Sequence, residues 1–209
     1  MLEKETEGDM KRILGVTGGV GAGKSQVLDI LKNEHGAHVI LSDQVAKELM
    51  DPGREGYRRV VEYLGEGILD STGAIDRPKM ARMIFGNQEA LREVNRLTHP
   101  LVWEEILRRI EGSPLPLQIV ETALPEKQFR DICDEIWYVY TSEENRARRL
   151  FVSRGYDREK TVQVMKNQLS DEEFRSICHR VIDNNGSIED TREQISRFLS
   201  EQETEESTQ

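Results

Sequence analysis

The stretch Gly15–Gln26, GVTGGVGAGKSQ, restricts the possible fold more than any other part of the chain. It contains the spacing Gly-x-x-x-x-Gly-Lys-Ser, Gly18 to Ser25, which is the phosphate-binding P-loop pattern. The apolar run Arg12–Gly18 precedes the loop and predicts a buried strand. Residues with helical apolar spacing follow the loop, and Gly36 is expected to end that helix. This order of strand, loop and helix predicts a nucleotide-binding α/β domain.

Each residue type in the loop has a chemical reason. Glycine has no Cβ, so the backbone N–H groups of a tight turn can point inward at phosphate oxygens. The N-terminus of the following helix adds a partial positive charge. Lys24 brings a full charge to the β- and γ-phosphates, and the Ser25 hydroxyl is a ligand for Mg²⁺. The alternative is a structural glycine-rich turn with a solvent-exposed lysine. We predict a purine triphosphate, together with Mg²⁺, as the ligand.

Further strands and helices alternate along the chain. Four more strands are predicted, at Ala37–Asp43, Pro116–Leu124, Glu135–Thr141 and His179–Gly186. This alternation is typical of a three-layer α/β/α P-loop fold with a parallel sheet and right-handed crossovers. Residues 57–111 are mostly helical in pattern and predict a helical insertion. Residues 142–170 are interpreted as a lid.

Length and composition set the limits of the domain. The chain has 209 residues, of which 36% are hydrophobic and 33% charged, enough for one compact domain with a charged surface. We place this domain at 11–200, between a flexible extension at 1–10 and a disordered acidic tail at 201–209. We expect a monomer or a weak homo-oligomer.

Charge and hydropathy exclude several function classes. The net charge of −10 argues against nucleic-acid binding, which depends on Lys and Arg. No apolar run is long enough to span a membrane, and no signal-peptide core begins the chain. The two cysteines, Cys133 and Cys178, lie far apart in no metal-binding spacing. These features favour a cytoplasmic protein with reduced thiols.

Two carboxylates are candidates for the chemistry beyond the loop. Asp43 ends the second predicted strand, where a carboxylate can orient or deprotonate an attacking hydroxyl. The alternative for Asp43 is a helix N-cap, although Ser42 is better suited to a purely structural role. Glu121 follows the apolar residues of LQIVE, the general shape of a strand whose acid helps to hold Mg²⁺. A surface glutamate at a strand end is an equally good interpretation.

An arginine-rich run follows the fourth strand. A lid that carries arginines over a triphosphate would stabilise charge in the transition state. The alternative is a solvated helix face paired with Glu143 and Glu144. We expect at least one functional arginine, Arg149 or Arg154. The run contains Arg146, Arg148, Arg149, Arg154 and Arg158.

Several motifs together are typical of one family. They are GVTGGVGAGKS, VILSDQVAKEL, IDRPKMARMIF, VNRLTHPLV, RARRLFVSRG, KNQL and VIDNNGS, which occur in family order from Lys11 to about Leu199. The chain resembles the bacterial dephospho-coenzyme A kinases. The resemblance implies a nucleotide-binding core, a helical CoA-binding insertion and a lid. It also implies transfer of the ATP γ-phosphate to the ribose 3′-hydroxyl of dephospho-CoA, the last step of CoA synthesis.

The resemblance also implies roles for particular residues. The family's acceptor-side aspartate falls on Asp43, and Arg77 and His99 fall in the substrate-binding region. From the residues alone, the favoured interpretation of His99 is a structural turn, with His99 and Pro100 at a helix start. Lys24, Asp43 and Arg149 are the candidate catalytic residues, and Ser25 is the candidate metal ligand. The candidate nucleotide-binding residues are Gly19, Gly21, Ala22, Gly23, Lys24, Ser25, Gln26, Arg149 and Arg154.

The chain also departs from the family pattern. Leu41 stands where a second aspartate is common, Gln26 replaces a usual threonine, and His179 replaces an aspartate. The segment ETALPE leaves open whether Glu121 or Glu126 takes the family's glutamate position. Two other functions stay possible from sequence. One is a P-loop kinase for a nucleoside, nucleotide or sugar acid. The other is a nucleotide-dependent switch, although no Asn-Lys-x-Asp guanine motif is found.

Overall fold

A five-stranded sheet forms the centre of the fold. The computed structural model describes residues 11–206. All five predicted strands are confirmed, each slightly shorter than its sequence pattern. They are β1 Arg12–Thr17, β2 His38–Leu41, β3 Leu117–Thr122, β4 Glu135–Tyr140 and β5 Arg180–Asp183. The predicted N-terminal extension, 1–10, lies outside the described residues.

The strand order places β1 at the centre of the sheet. The order is β2-β3-β1-β4-β5, and β1 pairs in parallel with both β3 and β4. The chain leaves β1 towards the β2 edge, whereas it leaves β3 towards β4 on the other side. Crossovers that diverge from two neighbouring strands create a crevice at their carboxyl ends, where open α/β sheets bind ligands. The ends of β1 and β3 are therefore the expected site.

Helices follow every strand. They are α1 Lys24–Glu34, α2 Ser42–Glu48, α3 Glu55–Leu64, α4 Arg77–Ile84, α5 Gln88–Gly112, α6 Lys127–Ile132, α7 Glu143–Arg154, α8 Arg158–Lys166, α9 Asp171–Ile177 and α10 Ile188–Glu206. Several of these helices have a side-chain N-cap. Ser142, Asp157 and Ser170 each accept a hydrogen bond from a backbone N–H of the first turn. Residues 201–206, assigned from sequence to a disordered tail, are helical, and 207–209 lie outside the described residues.

The chain divides into two compact units. The first comprises the residues up to Val39 and those from Pro114 onwards, and the second is Ile40–Ser113. In the first unit, β1, β4, α1 and α10 share one apolar core. Trp137 lies at its centre, with its ring 5.5 Å from that of Phe198 in an edge-on arrangement. The apolar side chains that α1 buries there are Val27, Leu28, Ile30 and Leu31, which confirms its predicted helical spacing.

The second unit is helical, and it contains the predicted insertion, 57–111. Its core forms around Val60, Ile68 and Val94. The sequence interpretation of His99 and Pro100 as a helix start is wrong, because α5 continues through both residues. Proline removes one helical hydrogen bond. Side chains before and after Pro100 form one buried stripe along α5, and burial of this stripe favours a continuous helix. The stripe includes Val94, Thr98, Leu101, Val102, Ile106 and Ile110.

Candidate active site

The P-loop connects β1 to α1, as the sequence predicts. Gly23 begins α1 in a left-handed conformation, with φ of 88°, which favours glycine. A Cβ at Gly23 would also collide with the side-chain amide of Asn184. The loop closes on itself through the Ala22 N–H, which donates to the Gly19 carbonyl at 3.2 Å. The glycines therefore allow a tight turn with other side chains packed against its backbone.

Lys24 folds back over the loop. Its Nζ donates to the Gly18 carbonyl at 2.8 Å and lies 3.4 Å from Oε1 of Glu121. Both side chains of this ion pair are mostly buried, with 16% and 13% exposed. Because β1 and β3 are paired in parallel, Glu121 lies opposite Val16, close to the start of the loop. Glu121 is thus the glutamate at the loop, whereas Glu126 is exposed at the start of α6.

The Ala22 carbonyl is fixed by three donors from distant parts of the chain. They are Oγ1 of Thr141 at 2.9 Å, Nδ2 of Asn184 at 2.8 Å and Nη1 of Arg149 at 3.2 Å. Asn184 is only 1% exposed, and its side-chain oxygen accepts from Thr191 at 2.9 Å. These three hydrogen bonds fix the orientation of the Ala22 peptide group. Sequence reasoning identified the VIDNNG motif but gave Asn184 no role.

The arginines of the lid region lie in different surroundings. Nη2 of Arg149 donates to the Asn184 carbonyl at 2.7 Å, so this guanidinium binds neutral oxygens beside the loop. Arg154 ends α7 as an exposed residue, 6.0 Å from the ring centre of Tyr156. Arg146, which sequence reasoning did not favour, donates from Nε to the Val20 carbonyl at 2.9 Å. Burial lowers the pKa of Arg146.

The structure thus brings one group of predicted residues together at the loop. Ser25 is exposed in the first turn of α1, next to Lys24. Gln26 follows it, and its N–H donates to the Gly23 carbonyl at 3.0 Å. These residues and Arg149 belong to the first unit.

The other predicted residues belong to the second unit. Asp43 is exposed in the first turn of α2, but it is not the N-cap, because Leu41 holds that position. Arg77 is exposed at the start of α4, with its guanidinium 3.5 Å from the Lys47 carbonyl. His99 lies half-buried in the middle of α5.

Both cysteines are free thiols. Burial raises the pKa of each to about 12, so neither is a thiolate near neutral pH.

No helix among residues 11–206 is long and apolar enough to cross a membrane.

The sheet order, the loop after the central strand and the helical unit after β2 define a P-loop kinase, and solved structures agree. The crystal structure of TT1252 from Thermus thermophilus aligns with a TM-score of 0.78 at 28% identity, over 92% of this chain and 98% of that one. Shikimate kinase from Acinetobacter baumannii shares the fold, with a TM-score of 0.54 at 18% identity, over 93% of this chain and 96% of that one.

Sequence comparisons narrow this class to a family. Residues 12–190 match the family model described as dephospho-CoA kinase. A dephospho-CoA kinase of Carboxydothermus hydrogenoformans is 38% identical over 90% of this chain and 92% of its own length. One from Geobacter sulfurreducens is 37% identical over 88% of this chain and 94% of its own length. The chain belongs to the dephospho-CoA kinase family.

Proposed function

We propose that the chain transfers the γ-phosphate of ATP to the ribose 3′-hydroxyl of dephospho-CoA, giving CoA and ADP. The observation that carries this proposal is a P-loop with Lys24 folded over it, in a chain that matches the family from 12 to 190. The reaction is the last step of CoA biosynthesis. The transfer is direct, with no phosphorylated enzyme intermediate.

The loop binds the triphosphate. Backbone N–H groups of the loop and the N-terminus of α1 bind phosphate oxygens, because a tight glycine turn and a helix N-terminus both favour an anion. Lys24 exchanges the Gly18 carbonyl and Glu121 for the β- and γ-phosphates when ATP binds. The fixed Ala22 carbonyl supports this role, since an oriented backbone needs little reorganisation in the transition state.

The residues at the loop also fit a magnesium ion. Among residues 11–206, no group of three or more His, Cys, Asp or Glu side chains could hold a metal. Mg²⁺ at a phosphate site takes few protein ligands and fills the others with phosphate oxygens and water, so such a group is not needed. The exposed Ser25 hydroxyl would hold the ion, with Glu121 nearby to accept from its waters. When bound, Mg²⁺ neutralises charge on the β- and γ-phosphates.

Asp43 orients and deprotonates the acceptor hydroxyl. It follows β2 directly, and the carboxyl ends of parallel strands are where ligand-binding groups gather in this class of fold. Its exposed carboxylate has no capping role, which supports a role in chemistry over a structural one. Arg77 and His99 bind the acceptor, and the exposed Arg77 guanidinium suits its anionic diphosphate.

Arg149 and Arg154 belong to the lid that excludes water from the transfer. Arg149 stabilises the loop and the charge on the transferred phosphate, since its guanidinium already lies 3.2 Å from the Ala22 carbonyl. Arg154 is exposed at the end of α7, where it is free to turn towards the nucleotide. The protein works in the cytoplasm, as a monomer or a weak homo-oligomer.

A coupled assay tests the proposal. The purified protein is incubated with Mg²⁺, ATP and dephospho-CoA, and ADP and CoA are measured together. We expect equal amounts of both products. Shikimate and gluconate serve as control acceptors, because kinases for them share the fold. ADP formed faster with a control acceptor than with dephospho-CoA would contradict the proposal.

A further inference from the structure

One residue of the P-loop, Val20, is held on both sides of its backbone by the lid region. The Val20 N–H donates to Oε1 of Gln168 at 2.9 Å, and the Val20 carbonyl accepts from Nε of Arg146 at 2.9 Å. Nη2 of Arg146 donates to the same Gln168 oxygen at 2.9 Å. The three bonds close a ring. We call Val20, Arg146 and Gln168 the Val20 clamp.

The clamp joins segments that are far apart in sequence. Arg146 lies in α7, and Gln168 lies between α8 and α9, 148 residues from Val20. Both side chains belong to the lid segment predicted at 142–170. The guanidinium of Arg146 also lies against Gly19, where any Cβ would collide with it. Two side chains of the lid segment, Arg146 and Gln168, therefore contact the loop backbone directly.

The chemistry of the clamp suits a site for an anion. Gln168 offers one neutral oxygen that accepts from both the Val20 N–H and Arg146. A carboxylate could accept the same two bonds, but it would add a negative charge beside the phosphate site. The hydrogen bonds that Arg146 donates to Val20 and Gln168 both end on neutral oxygens, so neither acceptor cancels its positive charge.

We propose that Gln168 is a positioning residue for phosphate transfer. Through its hydrogen bonds with Val20 and Arg146, Gln168 fixes the loop backbone and holds the lid segment in a constant position relative to the loop. It does not touch the phosphates. The inference rests on the proposed function for its kinetic readout, but it does not depend on which acceptor takes the phosphate.

The central experiment compares Gln168→Met with Gln163→Met. Methionine is similar in length to glutamine but has no amide oxygen, and Gln163 is an exposed residue of α8 in the same lid. In Gln168→Met we expect exchange of the Val20 amide hydrogen to become at least about 10-fold faster, because it loses its acceptor. We expect kcat to fall about 10- to 100-fold, with a smaller change in the KM for ATP. Gln163→Met should match the wild type in all three.

A second variant separates hydrogen bonding from charge. Gln168→Glu keeps an acceptor oxygen at the same length, so the Val20 amide should exchange as slowly as in the wild type. Its added negative charge should raise the KM for ATP.

Arg146→Lys keeps the positive charge but lacks the planar fork that reaches two acceptors. It should lower kcat as Gln168→Met does, and it carries the test if Gln168→Met does not fold.

The double variant Gln168→Met with Arg146→Met tests whether the two residues act as one unit. If they do, kcat falls no further than in the more damaging single variant. Unchanged Val20 exchange in Gln168→Met, or fully additive losses in the double variant, would overturn the proposal. The exchange experiment uses no acceptor, so the clamp can fail while dephospho-CoA phosphorylation stands, and the reverse.

Discussion

The phosphate loop and the residues proposed to act on the acceptor differ in how the rest of the chain holds them. Three side chains fix the Ala22 carbonyl, and two more hold Val20. By contrast, Asp43 and Arg77 are exposed on the second unit, and the bond from Arg77 is long, at 3.5 Å. The phosphate loop is thus held by buried and partly buried side chains, whereas Asp43 and Arg77, proposed here to act on the acceptor, are exposed.

This difference separates two kinds of mutational effect. A preformed loop stabilises transition-state charge without reorganising, so damage to it lowers the rate and also the stability of the first unit. Exposed acceptor-side residues contribute little to folding, so their replacement should change the chemistry alone. Variants at both sets of residues test this separation.

Replacement of Lys24 should give the largest loss. Lys24→Ala removes the charge expected at the transferred phosphate, so kcat/KM should fall about 1,000-fold or more. Circular dichroism and urea unfolding should show a folded protein. Lys32→Ala, at an exposed position of the same helix, is the control and should keep its activity. Full turnover in a folded Lys24→Ala variant would refute the assignment of the loop.

Asp43→Asn tests the acceptor end. The amide cannot take a proton from the attacking hydroxyl, so kcat should fall about 100-fold. ATP affinity and the free energy of unfolding should stay close to those of the wild type, because the side chain is exposed and caps no helix. Asp51→Asn, exposed in the turn after α2, is the matched control. A normal rate in Asp43→Asn would remove Asp43 from the mechanism.

Asn184→Ala should change both stability and binding. It removes buried hydrogen bonds to the Ala22 carbonyl and to Thr191. The free energy of unfolding should fall by about 2 kcal/mol, because buried polar groups lose their partners. ATP should bind about 10-fold more weakly, which is about 1.4 kcal/mol. Asn33→Ala, exposed on α1, controls for the loss of an amide, and equal stability losses in the two variants would contradict the prediction.

The same contrast shows what the sequence could predict. The strand–loop–helix order around the P-loop, the five strands and the helical pattern of residues 57–111 follow from local spacing, and the structure has all three. The side chains that support the loop were not predicted, because the Asn184–Ala22 and Val20–Gln168 hydrogen bonds join residues 162 and 148 positions apart. Local patterns carry no information on such pairs. The continuity of α5 through Pro100 was missed for a related reason, since burial of the surrounding stripe decides it.

The second unit should show its own pH dependence. The pKa of Glu105 is lowered to about 2, first by the hydrogen bond from Arg108 and then by that from Arg109. Arg109 also pairs with Glu48, and this bond is the main reason that the pKa of Glu48 is lowered. Because the folded pKa of Glu105 is below its ordinary value of 4.5, its ion pairs stabilise the protein above that pH. Their contribution is lost as the pH falls towards 2.

Glu105→Gln tests this network and should have the smallest effect. At pH 7 the variant should lose about 1 kcal/mol of unfolding free energy, a modest loss because the pairs lie near the surface. The difference from the wild type should shrink as urea unfolding is repeated at pH 5, 4 and 3, since Glu105 of the unfolded wild-type chain takes up a proton below about 4.5, which favours unfolding. Glu104→Gln, at the exposed neighbouring position, is the control. A difference that stays constant down to pH 3 would show that Glu105 stabilises α5 through packing and not through charge, and phosphate transfer at pH 7 should be unaffected in either case.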